Sequence, residues 1–508
     1  MPPPTFRRAR WAFAVVGVCV GIMPGGAAAQ DGCVFGNDGN DDFFRESLPS
    51  GVVTYVSNPH FLCDDGVQIW ADSAVAYAAL GMTYLIGRVR YLDATRELRA
   101  DEARYFSDQG RLQAQGHMSI RDEQQGSSIE NGDLVYLRRT DFRAEETMTV
   151  VIGSDLLRPR AVLAAPAAPL DSAAPLDARV PLRAPPEPYT VVGDRIFLRG
   201  ASAFTSAGDV EIVRDSLRAF ADSADFDQGS GDLLLEGSAR VEGTGYLLEG
   251  RTITMKAQAE SNEIHAVREA RLTGDDLLLT AAQIFVFLRD NNLERLVAIP
   301  GSRGGPGPVT DSTEAARPRA IVQDFVLTAD SLEVTSRDNA VQRVFAAGSA
   351  RSVSTSGDSL NTPSMPAVAT TDWLEGDTVV VSFRAPDADS GDLEVDRIVA
   401  RVRARSLYRL AASDTAARPG TDPPAVHYVV GNEISIEMGE GEVRTMQVVG
   451  QTRGVHLEPL RKPAVPDTVV RDTTNVIEPA SIPSNDPNRR ESTPEHDTPR
   501  EEEPWIRP

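Results

Sequence analysis

Side chains that commonly carry out chemistry are scattered through this chain of 508 residues. Its six histidines show no metal-ligand spacing, and neither an HExxH nor a GxSxG motif occurs. Asp387, Asp389 and Asp392 surround Gly391 as in part of a calcium loop, but the glutamate that completes such a loop is missing. A turn is the better interpretation of these acids. The sequence therefore predicts a protein that is not an enzyme and that holds no metal and no cofactor.

The N-terminus has the pattern of an export signal. Three arginines precede an apolar run from Trp11 to Met23, and Ala27-Ala28-Ala29 offers a small-residue cleavage site. A membrane anchor is the alternative, but the apolar run is too short for a hydrocarbon core of about 30 Å. We therefore predict a signal peptide over residues 1–29 and an exported mature protein.

Two cysteines remain once the signal is removed. Cys19 lies within the signal, so Cys33 and Cys63 form an even pair in an oxidising compartment. This pair predicts a disulfide bond between them. Two separate buried thiols are the open alternative, and the lack of a C-x-x-C motif argues against redox catalysis.

The charge balance excludes one broad class of partner. The chain has 51 basic and 74 acidic residues, which gives a net charge of −23. Nucleic-acid binding depends on neutralising phosphates, so no nucleic acid is expected as a partner. No P-loop motif occurs either.

Internal repetition is the most informative feature of the chain. The tetrapeptide Ala71-Asp72-Ser73-Ala74 recurs as Ala100-Asp101-Glu102-Ala103 and as Ala221-Asp222-Ser223-Ala224. In each copy a glycine follows sixteen residues after the first alanine, at Gly87, Gly116 and Gly237. The aspartates recur once per repeat, as structural residues do, whereas a catalytic pair would occur at one place.

Around each repeat glycine the side chains alternate with a period of two. In residues 112–120 the apolar side chains and Gly116 occupy every second position, and polar side chains occupy the positions between them. Such alternation is typical of half-buried β-strands. Turn sequences such as Ser107 to Gly110 separate the strands at hairpin spacing. The sequence thus predicts an all-β fold of stacked antiparallel hairpin repeats, each of about 29 residues.

Changes in composition divide the chain into segments. Stretches rich in proline, alanine, glycine, serine or threonine interrupt the strand pattern and cannot bury much surface. The predicted segments are a signal peptide (1–29), an N-terminal arm (30–63), β repeats (64–157), a Pro/Ala-rich insertion (158–188), β repeats (189–299), a linker (300–320), a divergent β region (321–460) and a disordered acidic tail (461–508). A further Ser/Thr-rich interruption covers Ser352 to Thr371.

The repeats also resemble a known family. The Ala-Asp-x-Ala motif is followed by an aromatic residue, which is Tyr77, Tyr105 or Phe226, and then by a strand that contains the repeat glycine. This combination is similar to the OstA-like (organic solvent tolerance A-like) family, which includes periplasmic proteins of lipopolysaccharide transport. The resemblance covers about residues 64–290 and is thin over 320–460. The chain departs from the family in its length, its insertions and its tail.

The resemblance implies an architecture and a function. It implies a half-open, twisted β-jellyroll of two sheets that meet in a V, with the acyl chains of lipopolysaccharide in an apolar groove between the sheets. It also implies that open sheet edges add strands from other envelope-transport components. The partners it implies are lipopolysaccharide or a similar amphiphile, together with those components, in the periplasm or at the outer membrane.

Under this resemblance, the groove is lined by inward residues near the repeat glycines, where the missing side chain leaves room. These lipid-binding candidates are Leu85, Val89, Leu112, Met118, Ile120, Leu233, Leu235 and Val241. The open alternative is that the same residues fill a closed core.

Two functions of other classes also stay open. One is a structural β-scaffold of the cell envelope, whose strands merely stack. The other is a carbohydrate-active enzyme on a repetitive β fold, which would need a local cluster of carboxylates in a groove. The repeats themselves contain no such cluster in sequence.

Overall fold

A computed structural model describes seventeen stretches of the chain. They are residues 33–35, 43–63, 66–124, 126–140, 142–153, 157–164, 188–200, 203–227, 230–257, 262–289, 291–301, 317–337, 339–363, 365–384, 393–410, 423–439 and 442–458. The predicted signal peptide, most of the insertion after Ala164, most of the linker and the acidic tail lie outside these residues.

The described residues form an all-β fold, which confirms the predicted fold class at this level. Strands make up 75% of the structure, and the described residues contain thirty-two of them and no α-helix. Four short 3-10 helices occur, at Ala78–Leu80, Ser107–Gln109, Ser356–Leu360 and Ala367–Ala369. None of the described helices is long and apolar enough to cross a membrane.

In the first half of the array, β7, β8, β17 and β18 have eleven or twelve residues and the other strands are shorter. The strands of this half are β1 (Cys33–Phe35), β2 (Phe43–Leu48), β3 (Gly51–Ser57), β4 (His60–Cys63), β5 (Gln68–Trp70), β6 (Ser73–Tyr77), β7 (Met82–Leu92), β8 (Arg96–Phe106), β9 (Arg111–Gln115), β10 (Ser119–Asp122), β11 (Ser127–Glu130), β12 (Asp133–Leu137), β13 (Thr147–Val151), β14 (Arg160–Leu163), β15 (Tyr189–Val192), β16 (Arg195–Arg199), β17 (Ala203–Arg214) and β18 (Leu217–Asp227).

The second half continues in the same manner to the last described strand. Its strands are β19 (Asp232–Gly243), β20 (Tyr246–Ala257), β21 (Asn262–Gly274), β22 (Leu277–Arg289), β23 (Asn292–Ile299), β24 (Arg319–Val322), β25 (Phe325–Thr328), β26 (Ser331–Arg337), β27 (Ala340–Ser354), β28 (Asp372–Arg384), β29 (Glu394–Leu410), β30 (Ala425–Gly439), β31 (Glu442–Val449) and β32 (Arg453–Leu457).

Two sets of strands divide and rejoin along the array, and every described pairing is antiparallel. The division begins at β8, which pairs with both β9 and β10. One branch continues in the order β10, β11, β14, β15, and the other in the order β9, β12, β13, β16. Both branches then pair with β17. These ten strands close on themselves like an antiparallel barrel. A second, smaller division begins at β22 and ends at β27. One branch runs through β24 and β25, and the other runs through β23 and β26. The half-open, V-shaped jellyroll is a finer statement and stays a prediction.

Long strands bend where the repeat glycines lie. In β7, Gly87 and Arg88 have φ angles of 76° and 43°, in the left-handed region that glycine adopts without a Cβ penalty. Two successive residues of this kind interrupt the ladder, so the register shifts between Ile86 and Val89. The two halves of a bent strand can then pair with different neighbours, and the side chains between the two branches are enclosed.

The recurring aspartate accompanies the bend in the next strand. A Cβ on Gly116 would stand 2.6 Å from Oδ2 of Asp101, and the backbone N–H of Asp101 donates to the carbonyl of Gly116 at 2.8 Å. The carboxylate of Asp72 covers Gly87 in the same way, and that of Asp222 covers Gly237. The sixteen-residue spacing in sequence therefore corresponds to one structural unit, which we call the aspartate–glycine bend.

Three segments contain more structure than their composition indicates. The predicted arm includes strands β1 to β4, and β14 lies within the range assigned to the Pro/Ala-rich insertion. The Ser/Thr-rich interruption contains the end of β27 and two 3-10 helices. Backbone pairing with neighbouring strands orders these segments, and such pairing does not depend on a particular side-chain composition.

Candidate functional site

The eight predicted lipid-binding residues all point inward. Each is at most 3% exposed, and all eight belong to one hydrophobic cluster that extends from Val56 to Met438. Ile120 borders a cavity of about 30 Å³, and Leu233 borders one of about 170 Å³. This packing favours the closed-core alternative at these positions, and their role in lipid binding stays a prediction.

The inward positions after each bend follow one rule. The second and fourth residues after the first left-handed residue are buried at seven bends, which begin at Gly87, Gly116, Gly208, Gly237, Arg268, Gly348 and Val402. At the fourth position the N-terminal and central bends carry large apolar side chains: Tyr91, Ile120, Ile212, Val241 and Leu272. The last two long bent strands, β27 and β29, carry serine there instead, as Ser352 and Ser406.

The two serines lie on either side of one leucine. Ser352 is the register partner of Leu374, and Leu374 is the register partner of Ser406. Replacing a large apolar side chain by serine removes volume from the interior, so space opens where two such positions are neighbours.

A cavity of about 560 Å³ lies at this place. Its apolar lining includes Phe325, Leu374, Ile398, Ile436 and Met438, which belong to strands β25, β28, β29 and β30. Ser352, Ser354 and Ser406 also line it, and the 3-10 helix Ser356–Leu360 lies along one side. The C-terminal end of the array therefore contains a cavity lined by both apolar and serine side chains.

A buried ion pair fixes the 3-10 segment beside this cavity. Arg409 donates from Nε to Oδ1 of Asp372 at 2.8 Å and from Nη2 to Oδ2 at 3.2 Å, and its Nη1 donates to the side-chain oxygen of Asn361. The Arg409 side chain has no exposed surface. Because the guanidinium is bidentate and partnered on both sides, this pair positions the segment and leaves no group poised for proton transfer.

A second buried polar cluster lies inside the ten-stranded ring. Arg96 donates from Nε to Oδ2 of Asp122 at 3.1 Å and from Nη1 to the hydroxyl of Tyr136 at 2.8 Å, and its Nη2 donates to Glu146. The hydrogen bond from Arg96 holds the pKa of Glu146 below its usual value, while burial raises the pKa of Tyr136. The adjoining cavity of about 30 Å³ has room for little more than a water molecule. This cluster is a satisfied structural network.

The other sequence candidates occupy separate places. His117 is exposed and lies 2.7 Å from the carboxylate of Asp101, while Asp387, Asp389 and Asp392 lie outside the described residues. Within the described part of the chain, no group of three or more His, Cys, Asp or Glu side chains could hold a metal ion. Cys63 is disulfide-bonded, and Cys33 is its register partner in β1. The Cys33–Cys63 pairing stays a prediction, which this register supports.

Apolar side chains are exposed at both ends of the array. At the N-terminal end β2 pairs only with β3 among the described strands, and it exposes Phe43, Phe44 and Leu48. At the C-terminal end β31 and β32 each pair only with β30 among the described strands, and they expose Val443, Val449, Val455 and Leu457. Among the described strands, β2, β31 and β32 therefore each have one unpaired edge.

Sequence reasoning missed the cavity, although a signal for it exists. Gly348-Ser349-Ala350-Arg351 repeats the Gly237 tetrapeptide, and the next residue, Ser352, stands where the earlier repeat has Val241. Comparing inward positions between repeats would have identified the smaller side chain. Comparison of the whole chain with protein-family models and with curated proteins finds no match.

Proposed function

We propose that this protein is a periplasmic, lipopolysaccharide-binding component of lipopolysaccharide transport and outer-membrane assembly. In this proposal, an acyl chain of the lipid binds in the cavity beside Ser352 and Ser406, which we call the C-terminal cavity. The observation that carries the proposal is the pair of serines at the fourth position after the bend, which line a cavity of about 560 Å³. This location replaces the eight filled positions as the lipid site.

The character of the cavity suits one end of an amphiphile. Its volume falls within the roughly 300–1,000 Å³ typical of small-molecule sites. Each methylene that leaves water for its apolar surface contributes about 0.8 kcal/mol. Serine hydroxyls can meet the ester or amide groups that join acyl chains to a polar head.

The strand edges at the two ends support the second half of the proposal. Unpaired edges with exposed apolar side chains invite addition of a strand from another protein. β2 at one end and β31 and β32 at the other are such edges. Other envelope-transport components are therefore the proposed protein partners.

Filling the cavity tests the lipid site. In the Ser352→Leu/Ser406→Leu double variant, leucine restores the bulk found at the other bends, so folding should persist while binding of a fluorescent fatty acid falls at least about tenfold. Thr335→Leu is the matched control, because Thr335 lies on the outer face of β26 between the inward Val334 and Ser336. Displacement of the fatty acid by lipopolysaccharide identifies the natural class of ligand. A folded double variant that binds as tightly as the unmodified protein would contradict the proposal.

A structural scaffold of the envelope is the second candidate function. The burial of all eight predicted groove residues favours it, since a filled interior needs no ligand. It predicts that the folded, unmodified protein binds neither fatty acid nor lipopolysaccharide in the same assay. The absence of enzymatic activity stays a prediction, which glycan turnover by the purified protein would overturn.

A further inference from the structure

The aspartate–glycine bends present three oxygens that a guanidinium can bridge. At the Gly208 bend, Arg158 donates from Nε to Oδ1 of Asp194 at 2.9 Å. Its Nη2 donates to the carbonyl oxygens of Gly208 and Asp209, both at 2.7 Å. One arginine thus bridges the bend carboxylate and two successive carbonyls, and we call these three oxygens the bend cradle.

A second arginine occupies an equivalent cradle more than 100 residues later. Nη2 of Arg317 lies 3.1 Å from Oδ1 of Asp330 and donates to the carbonyl oxygens of Gly348 and Ser349, both at 3.1 Å. Arg158 and Arg317 are not part of the bends; they lie at the edges of the predicted insertion and linker. Two unrelated segments therefore place the same group on the same three oxygens, which indicates that the cradle selects a guanidinium.

At three other bends a nearby residue of the bend itself supplies the partner of the carboxylate. Arg88 pairs with Asp72 at 2.8 Å, the His117 ring lies 2.7 Å from Asp101, and Arg403 pairs with Asp377. In each case the partner is the second left-handed residue of the bend. These side chains and the two external arginines cover five bend carboxylates in all.

The bend at Gly237 has the same backbone but a different partner arrangement. Gly237 and Ser238 have φ angles of 75° and 46°, against 82° and 42° for Gly208 and Asp209. The carboxylate of Asp222 covers Gly237 as at the other bends. The second bend residue here is serine, and Asp222 forms no ion pair or side-chain hydrogen bond with any described residue. Its carboxylate is exposed.

A groove of about 660 Å³ gives access to this cradle. Acidic side chains of Asp209, Glu249 and Glu269 line the groove beside Asp222. Arg240, Arg251 and Arg271 line it as well, so a run of basic residues would be repelled at the same place. The groove therefore suits a single arginine with acidic neighbours.

We propose that the cradle formed by Asp222, Gly237 and Ser238 binds an arginine side chain of a partner protein. At the Gly208 bend the planar fork of Arg158 reaches the carboxylate through Nε and the two carbonyls through Nη2, and a guanidinium is more weakly hydrated than the ammonium group of lysine, so the cradle favours arginine. A chain with a net charge of −23 also attracts a partner that carries a cation at its contact surface. This inference does not depend on the proposed lipid site, because the residues involved are different.

Titration of the mature protein with a short peptide tests the cradle. The probe is Asp-Gly-Arg-Gly-Asp, followed by NMR through the amide signals of residues 237 and 238, with a lysine and a citrulline peptide for comparison. We expect the arginine peptide to shift these signals and the other two to bind at least about fivefold more weakly. Asp222→Asn should reduce binding of the arginine peptide by a similar factor.

Two variants separate the cradle from general charge attraction. Ser238→Arg supplies the guanidinium from the strand, as Arg88 does at its own bend, and should block the peptide while the protein stays folded. Asp194→Asn removes one negative charge from a cradle that Arg158 already fills, and should leave peptide binding unchanged. Equal loss in Asp194→Asn and Asp222→Asn, equal binding of the arginine and lysine peptides, or no binding to the unmodified protein would each overturn the proposal.

Discussion

The ten-stranded ring and the C-terminal strands use the same bend but differ in what lies behind it. In the ring, the fourth residue after the bend is Ile120 or Ile212, each at most 3% exposed, and the interior is filled. In β27 and β29 the same position is Ser352 or Ser406, and about 560 Å³ stays unfilled. One type of bend can thus lie beside either a filled core or a cavity, and the size of the inward residue at this position contributes to the difference.

The largest expected effect comes from placing a charge in the filled region. Met118→Asp buries a carboxylate among apolar side chains, and the cost of several kcal/mol should unfold the protein or lower its melting temperature sharply. Ser352→Asp places the same group beside the cavity, where water can reach it, and should be tolerated. Thermal unfolding followed by circular dichroism compares the two. Similar melting temperatures of the two variants would contradict the proposed difference between the filled ring and the C-terminal cavity.

A smaller loss of stability is expected when a large inward residue of the ring is replaced by serine, the residue found at this position in β27 and β29. Ile212→Ser at the Gly208 bend imitates Ser352 at the Gly348 bend and leaves a cavity in the packed interior. By analogy with large-to-small core substitutions, we expect the free energy of unfolding to fall by about 2–4 kcal/mol. Denaturant unfolding measures this change, with Thr205→Ser on the outer face of the same strand as the control. A loss below about 1 kcal/mol would indicate that the ring is not closely packed.

The bends themselves differ in strain. Val402 has a φ of 62°, which a β-branched residue adopts only at a cost, whereas the equivalent residue of β17 is Gly208. We expect Val402→Gly to stabilise the protein by about 1 kcal/mol and Gly208→Val to destabilise it by more than that. Chemical denaturation of both variants checks the sign. Destabilisation by Val402→Gly would show that packing of the half-exposed valine outweighs its strain.

The smallest expected effect is a pH dependence at the C-terminal edge. Burial and the neighbouring His456 hold the pKa of His427 below its ordinary value of about 6.5. A group whose pKa is lowered by folding stabilises the folded state above its unfolded pKa and loses that contribution as the pH falls. Pairing of β32 with β30 should therefore weaken modestly below about pH 6.5, and His427→Gln should remove the effect. Hydrogen exchange at residues 453–457 measures it; equal protection in this range with and without His427 would contradict it.

Much of the local structure could be predicted from sequence because it depends on local pattern. The alternation around Gly116 predicts one strand, and the structure forms two, β9 and β10, on either side of this glycine. The sequence predicts that the recurring aspartate is structural, and its carboxylate lies over the bend glycine. The inward orientation of Met118 and Leu235 follows from the same period of two.

Features that join distant residues were not predictable in this way. The Arg409–Asp372 pair connects residues 37 positions apart, and no repeat marks it. The division of the array at β8 depends on two branches finding separate partners beyond the bend. Whether space remains between the sheets depends on the summed volume of side chains from several strands, so the sequence indicated which residues face inward but not whether they fill the interior.

Site-specific photocrosslinking tests the central claim most directly, because it reports where lipid enters. A diazirine amino acid of leucine size can replace Leu374 at the cavity, Leu235 in the filled core and Leu80 on the surface, where it is 64% exposed. With purified lipopolysaccharide, we predict capture from position 374 and none from positions 235 and 80. Capture from position 235, or equal capture from 374 and 80 in the folded protein, would contradict the account.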